Sequence, residues 1–181
     1  MGKSTTAAMF EDEGVPVWDA DAAVRRLYAK GGAAVEKIAQ HYPDAIEDGS
    51  VSRSKLRDTI TANPKILDHI QTLVHPLVAR DRADFLAQMD APILIFDMPL
   101  LFEIGADRGC DGVVVVTAPA EVQKARVLAR GEMSEADFDI IVSRQMSDEE
   151  KRAKATWVIE TTTLDAARQS VKEILTEIRE L

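Results

Sequence analysis

Apolar residues along this chain fall into two kinds of run: short continuous blocks of strand length, and longer stretches with helical spacing. The run from Thr5 to Glu13 contains neither Gly nor Pro, carries Met9 and Phe10, and stops at Gly14, the residue expected just past a helix. Val15-Pro16-Val17-Trp18 is a short apolar block ending in Asp19-Ala20-Asp21, which predicts a strand feeding a polar site, with a helix following from Ala22. From Ala22 to Asp90 only Val51 suggests a strand; the rest is a succession of helical runs punctuated by Gly31-Gly32, Pro43, Asp48-Gly49, Asn63-Pro64 and His75-Pro76. So long a helical insert exceeds what a crossover between strands needs, and it predicts a substrate-covering subdomain.

Ile93-Leu94-Ile95-Phe96-Asp97 reads as a strand buried on both faces with its carboxylate at a ligand edge, and Gly112 to Thr117 repeats the pattern with β-branched residues. The connection Met98-Pro99-Leu100-Leu101-Phe102-Glu103 is too apolar for an idle loop and is expected to pack over a site or line a pocket. Pro119 opens a further helix. Ser134 to Asp137 and Ser147 to Glu150 are two capping boxes, the first in a looser form, framing a short helical hairpin. Thr156 to Glu160 predicts another strand, and Leu164 to Leu181 an amphipathic helix with Ala167, Val171, Ile174, Leu175 and Ile178 at core spacing. Strands alternating with helices in this order give a doubly wound α/β plan with a parallel sheet.

Composition narrows the function classes. The 181 residues suffice for one domain with a smaller subdomain, and 46% hydrophobic with 29% charged residues indicates an ordinary globular chain rather than disorder. A formal net charge of −9 argues against sequence-independent nucleic-acid binding and against an anionic membrane surface, so a polyanionic ligand must be met by a local group of Lys and Arg. The single cysteine, Cys110, excludes an internal disulfide and has no His near it in sequence. No apolar run is long enough to span a bilayer, and a cytoplasmic enzyme or binding protein fits best.

The densest chemistry lies at the start. Met1-Gly2-Lys3-Ser4-Thr5-Thr6 reads as the closing half of a phosphate-binding loop running into a helix, where free N–H groups and the helix dipole favour an anion, Lys neutralises it and a Ser hydroxyl holds Mg²⁺. Asp21 is either a carboxylate at the site or the N-cap of the helix after it, roles that are compatible. His75, flanked by apolar residues, reads by itself as a satisfied buried histidine. Arg53, Lys55 and Arg57 suit a phosphate or a solvated face. Arg126 and Arg130, four apart on one helix face, can address phosphates together. The hairpin contains Arg144, Gln145, Lys151 and Arg152, and its positive charge suits a mobile lid or ordinary surface helices.

Taken together, Gly2-Lys3-Ser4-Thr5, Val17-Trp18-Asp19-Ala20-Asp21, His75-Pro76-Leu77, the run from Asp97 to Glu103, and Arg144-Gln145-Met146 through Lys151-Arg152 resemble the dephospho-CoA kinase family, nearly end to end. The resemblance implies a P-loop kinase fold similar to nucleoside monophosphate kinases, as a single kinase domain: core 1–21, 91–130 and 155–181, helical CoA-binding subdomain 22–90, lid 131–154. It implies transfer of the ATP γ-phosphoryl group to the ribose 3′-hydroxyl of dephospho-CoA, with ATP and Mg²⁺ as cofactors. It puts Gly2, Lys3, Ser4 and Thr5 on the ATP phosphates with Ser4 also on the metal, and Arg126 and Arg130 on ATP. Asp21 becomes the base, Lys3 and Arg144 join the catalytic set, Arg130 and Arg144 serve the lid, Pro99 and Leu100 face substrate, and His75 either faces substrate or fixes a turn.

The chain departs from the family pattern in two places. The family opens with an apolar strand and a full Gly-rich loop, whereas only Met1 precedes Gly2, so the first central strand is missing from this chain and a truncated start with poor ATP affinity is expected. Thr156 and Glu160 stand where the family commonly has acidic or amide residues, which bears on adenine-side contacts. Another small-metabolite or nucleotide kinase of the same fold, and a non-catalytic binding protein, are the competing readings.

Overall fold

A computed structural model describes every residue except Met1, Arg130, Glu132, Met133 and Arg144, and all side chains of the described residues except those of Ala136 and Asp139. In chain order the elements are α1 (Lys3–Asp12), β1 (Val17–Asp19), α2 (Ala20–Tyr28), α3 (Ala33–His41), β2 (Ile46–Glu47), β3 (Ser50–Val51), α4 (Arg53–Ala62), α5 (Ile66–Gln88), β4 (Ile95–Asp97), β5 (Val114–Thr117), α6 (Ala120–Leu128), α7 (Glu135–Ser143), α8 (Asp148–Lys154), β6 (Trp157–Glu160) and α9 (Leu164–Arg179). Short 3-10 turns lie at Pro43–Ala45 and Ala106–Gly109. The chain forms two compact units, one of Met1–Val17 with Asp97–Leu181 and one of Trp18–Phe96.

In the first unit β5 and β6 pair in parallel, Val114 opposite Trp157 through Thr117 opposite Glu160. The entry to this pair is fixed by Thr156, whose hydroxyl accepts the Val113 N–H at 3.0 Å while its own N–H reaches the Val113 carbonyl at 2.9 Å. Amphipathic α9 buries Ala167, Val171, Ile174 and Leu175, as its spacing predicts, and packs on β6 and on α1, where Met9 and Phe10 are buried. Burying each of Val171, Ile174 and Leu175 stabilises the unit by roughly 1.5–3 kcal/mol. Both capping boxes form: Ser147 with Glu150 at α8, and Ser134 with Asp137 before α7.

The second unit has its own core of Leu27, Ala34, Ile38, Ala45, Val51, Leu56, Ile70 and Val74. Here β2 and β3 make a small antiparallel hairpin around Asp48 (φ 50) and Gly49 (φ 78). Positive φ at both central residues is what a tight two-residue hairpin turn demands, so Asp48-Gly49 acts as a turn and Val51 is indeed in a strand. β1 pairs with β4, and the Trp18 ring meets Phe96 edge-on at 6.1 Å.

Three expectations need correction. His75-Pro76 does not end a helix: α5 runs through Pro76 for 23 residues. An interior Pro costs about 3 kcal/mol, but Ile70 and Val74 before it are buried and Leu77 and Val78 after it pack on the same core. His75 itself is exposed rather than a buried core histidine. The strand predicted from Ile93 is regular only from Ile95, and β4 is half-buried until Asp97 rather than covered on both faces.

Candidate functional site

The N-terminus of α1 presents free backbone N–H groups, the arrangement to which anions are attracted. Gly2 is its N-cap in the left-handed region (φ 88), and no side chain caps the helix. The first intrahelical bond runs from the Thr6 N–H to the Gly2 carbonyl at 2.8 Å, which leaves the N–H groups of Lys3, Ser4 and Thr5 without an intrahelical acceptor. A Cβ on Gly2 would stand 3.2 Å from the Thr161 side chain, so the cap accepts little beyond glycine on both grounds. Ser4 and Thr5 are exposed, and the Lys3 ammonium is ion-paired with Oδ1 of Asp97 at the end of β4. The Asp97 side chain is 3% exposed and that of Lys3 41%, so a buried carboxylate holds a cation that still faces solvent.

Beside this terminus lies a cavity of about 360 Å³ whose lining includes Gly2, Thr5, Thr6, Arg126 and Thr161 to Thr163. Arg126 on α6 donates to the Thr161 hydroxyl at 3.2 Å and to its carbonyl at 2.8 Å. Thr161 in turn donates its N–H and its hydroxyl to the Thr117 carbonyl, which ties the cavity wall to the carboxyl end of β5. The buried Thr6 hydroxyl has no hydrogen-bond partner among the described residues. A second cavity of about 210 Å³ opens at the carboxyl ends of β5 and β6, with Asp148, Arg152 and Glu160 in its wall and a 2.6 Å bond from the Thr117 hydroxyl to Asp148.

The connection after β4 leaves Leu100 in the left-handed region (φ 55) with its side chain exposed. Three residues on, Glu103 accepts the Met146 N–H at 3.1 Å and lies 3.4 Å from the Lys151 ammonium. Burial pushes the Glu103 carboxyl up, but backbone N–H groups of Glu103 and Met146 and the Lys151 ammonium together hold it below the ordinary glutamate value. This contact anchors the segment that leads into α8.

In the second unit the two carboxylates after β1 separate by role. α2 begins at Ala20, not Ala22, because the Asp19 side chain accepts the Ala22 N–H at 2.8 Å and is therefore the N-cap. Asp19 also lies 3.8 Å from Arg25. Asp21 is thus not the cap. It sits exposed in the first turn of α2 with no hydrogen bond or ion pair among the described residues. Trp18 Nε1 and Arg26 both donate to Asp81 on α5.

The structure therefore brings together Gly2, Lys3, Ser4, Thr5 and Arg126 in the first unit. Pro99 and Leu100 lie in the connection after β4 of the same unit, and Asp21 and His75 lie in the second. Arg130 and Arg144 lie outside the described residues. Sequence reasoning placed Asp97 at a strand end without a partner and gave Glu103 no role. The acid closing each apolar run was the only signal, and the partners 94 and 43 residues away in sequence were not legible. The Ser4 hydroxyl and the Asp97 carboxylate are hard oxygen donors of the kind Mg²⁺ takes, with Asp97 paired to Lys3, and among the described residues no group of three or more His, Cys, Asp or Glu could hold a metal ion.

A CoaE family model, described as dephospho-CoA kinase, matches residues 1–166. The dephospho-CoA kinase of Cereibacter sphaeroides is 55% identical over 180 residues, covering 99% of this chain and 91% of its own. That of Ruegeria pomeroyi is 54% identical over 179 residues, with 99% and 91% covered. Among solved structures, the crystal structure of TT1252 from Thermus thermophilus aligns with a TM-score of 0.82 at 35% identity, covering 97% of this chain and 91% of that one. The dephospho-CoA kinase from Campylobacter jejuni aligns at 0.71 and 22% identity, covering 99% and 92%, a likeness of fold.

Proposed function

The chain belongs to the dephospho-CoA kinase family, and from that premise we propose that it transfers the ATP γ-phosphoryl group to the ribose 3′-hydroxyl of dephospho-CoA, giving coenzyme A and ADP. The observation that carries the reading is the uncapped N-terminus of α1, with Lys3 and Ser4 in its first turn, opening on the 360 Å³ cavity. The N–H groups of Lys3, Ser4 and Thr5 cradle phosphate oxygens, and Lys3, held by Asp97, neutralises charge on the transferring group. Arg126, fixed to Thr161, supports the nucleotide from the cavity wall. Ser4 and Asp97 would hold Mg²⁺, which would supply neutralisation of phosphate charge.

Asp21 is the base of this proposal because Asp19 is committed to capping α2 while Asp21 has no partner among the described residues. The acceptor hydroxyl oxygen forms a bond to the γ-phosphorus, the bond from that phosphorus to the bridging oxygen of ADP breaks, and the hydroxyl proton passes to the Asp21 carboxylate. Positioning supplies most of the rate. Exposed His75 and the apolar Pro99-Leu100 turn are assigned to substrate, and Arg130 and Arg144 to the lid, on the family pattern. The division into core, helical subdomain 22–90 and lid 131–154 is proposed on the same pattern.

The test is ADP release from Mg·ATP with dephospho-CoA as acceptor, for the wild type and Asp21→Asn. Turnover by the wild type, with loss of transfer but retained ATP binding in the variant, is expected. Turnover only with a nucleoside monophosphate or another small alcohol would replace the acceptor in this reading, and substantial turnover by Asp21→Asn would remove Asp21 as base.

A further inference from the structure

Asp81 accepts hydrogen bonds from side chains on both sides of Asp21 in the chain. The carboxylate lies on α5 and receives three donors: Trp18 Nε1 at 2.8 Å, Arg26 Nη2 at 2.5 Å and Arg26 Nε at 3.3 Å. Trp18 is the central residue of β1, three positions before Asp21, and Arg26 is on α2, five positions after it. Trp18 is 2% exposed and packs edge-on against Phe96, so its indole N–H needs an internal acceptor. A neutral acceptor would satisfy that N–H alone. Using one carboxylate for both Trp18 and a forked Arg26 instead joins the strand and the helix at a single point on α5. Burial pushes the Asp81 carboxyl up, but the Arg26 and Trp18 hydrogen bonds and the Arg26 charge hold it below the ordinary aspartate value, so it stays ionised and able to grip both partners.

We propose that Asp81 is a positioning residue for phosphoryl transfer, fixing through Trp18 and Arg26 the orientation of the β1–α2 corner that carries Asp21. The proposal rests on Asp21 being the base. Asp21 has no partner of its own among the described residues, so its backbone is what fixes the Cα–Cβ vector from which the carboxylate extends. That backbone is held directly by the Asp19 cap on the Ala22 N–H, and its two flanks are tied to α5 through the Trp18 and Arg26 side chains bonded to Asp81.

The test is a double-mutant cycle on the full chain, reading kcat, the KM values for ATP and dephospho-CoA, and the thermal midpoint. Asp81→Asn is expected to lower kcat about tenfold or more while leaving the KM for ATP within about twofold, because the nucleotide is held by other residues. In the Asp21→Asn background the same substitution should lower the residual kcat by less than about twofold, since an effect exerted through Asp21 disappears when Asp21 cannot accept a proton. Trp18→Phe keeps the buried ring and removes only the Nε1–H donor. It should lower kcat about threefold, with the same silence in the Asp21→Asn background, and it decides the matter if Asp81→Asn does not fold. A kcat within twofold of wild type in both Asp81→Asn and Trp18→Phe, or a full multiplicative loss on top of Asp21→Asn, overturns the proposal. Wild-type kcat in Asp21→Asn alone refutes the assignment of the base instead, and the single variant distinguishes that failure.

Discussion

Glu103 provides the sharpest test of how the connection after β4 is tied to the segment before α8. Its Oε1 accepts the Met146 N–H at 3.1 Å and faces the Lys151 ammonium at 3.4 Å, with the two side chains 21% and 19% exposed. A hydrogen bond to a charged group contributes about 1.5–3 kcal/mol, and a partly exposed ion pair about 0.2–1 kcal/mol. Glu103→Ala removes both and should cost about 2 kcal/mol locally, whereas Glu103→Gln keeps an acceptor for Met146 and should cost about 0.7 kcal/mol. Amide hydrogen exchange at Met146 reads the contact directly: about thirtyfold faster exchange in Glu103→Ala and about threefold in Glu103→Gln correspond to those energies at 1.36 kcal/mol per decade. The pH dependence has a definite sign. The folded-state value lies below the ordinary 4.5, so the stabilisation is complete above that pH and is lost as pH falls through the folded value. The gap between wild type and Glu103→Gln should therefore close in acid. Met146 exchange in Glu103→Ala within twofold of wild type, or a gap that widens as pH falls, would refute the reasoning.

Three further outcomes are expected. Lys3→Met should lower kcat about a hundredfold or more, measured by ADP release, and should also lower the melting temperature, because it strands the buried Asp97 carboxylate. Gly2→Ala introduces a Cβ 3.2 Å from Thr161 at a φ of 88. The left-handed backbone alone costs roughly 1–2 kcal/mol, and calorimetry should show ATP bound about tenfold more weakly. Ser147→Ala breaks the capping box at α8; a loss of about 1 kcal/mol is expected, read as faster exchange of the Glu150 amide, which donates to the Ser147 hydroxyl at 3.2 Å.

The order of elements and much of their extent follow from local rules acting within a few residues. Gly14 ends α1, Ser147 and Glu150 start α8, Asp48-Gly49 turns a hairpin, and the spacing of Ala167, Val171, Ile174 and Leu175 fixes the buried face of α9. The helix start at Gly2-Lys3-Ser4-Thr5 was legible for the same reason, since a helix N-terminus and its first residues are neighbours in sequence. Asp19 and Asp21 mark the limit of that reading. Two acids two positions apart are both fit to cap a helix or to serve a site, and only the folded chain, starting α2 at Ala20, assigned the cap to Asp19 and left Asp21 without a partner among the described residues. His75-Pro76 shows the same limit: local propensity predicts a break, and packing of Ile70, Val74, Leu77 and Val78 on one core carries α5 through it. The tertiary structure alone decided the long-range partners, Lys3 with Asp97, Glu103 with Met146 and Lys151, and Trp18 and Arg26 with Asp81. Charge and hydrogen-bonding capacity are written in each residue, but which groups meet depends on how strands and helices far apart in the chain are packed, and no local pattern encodes that distance.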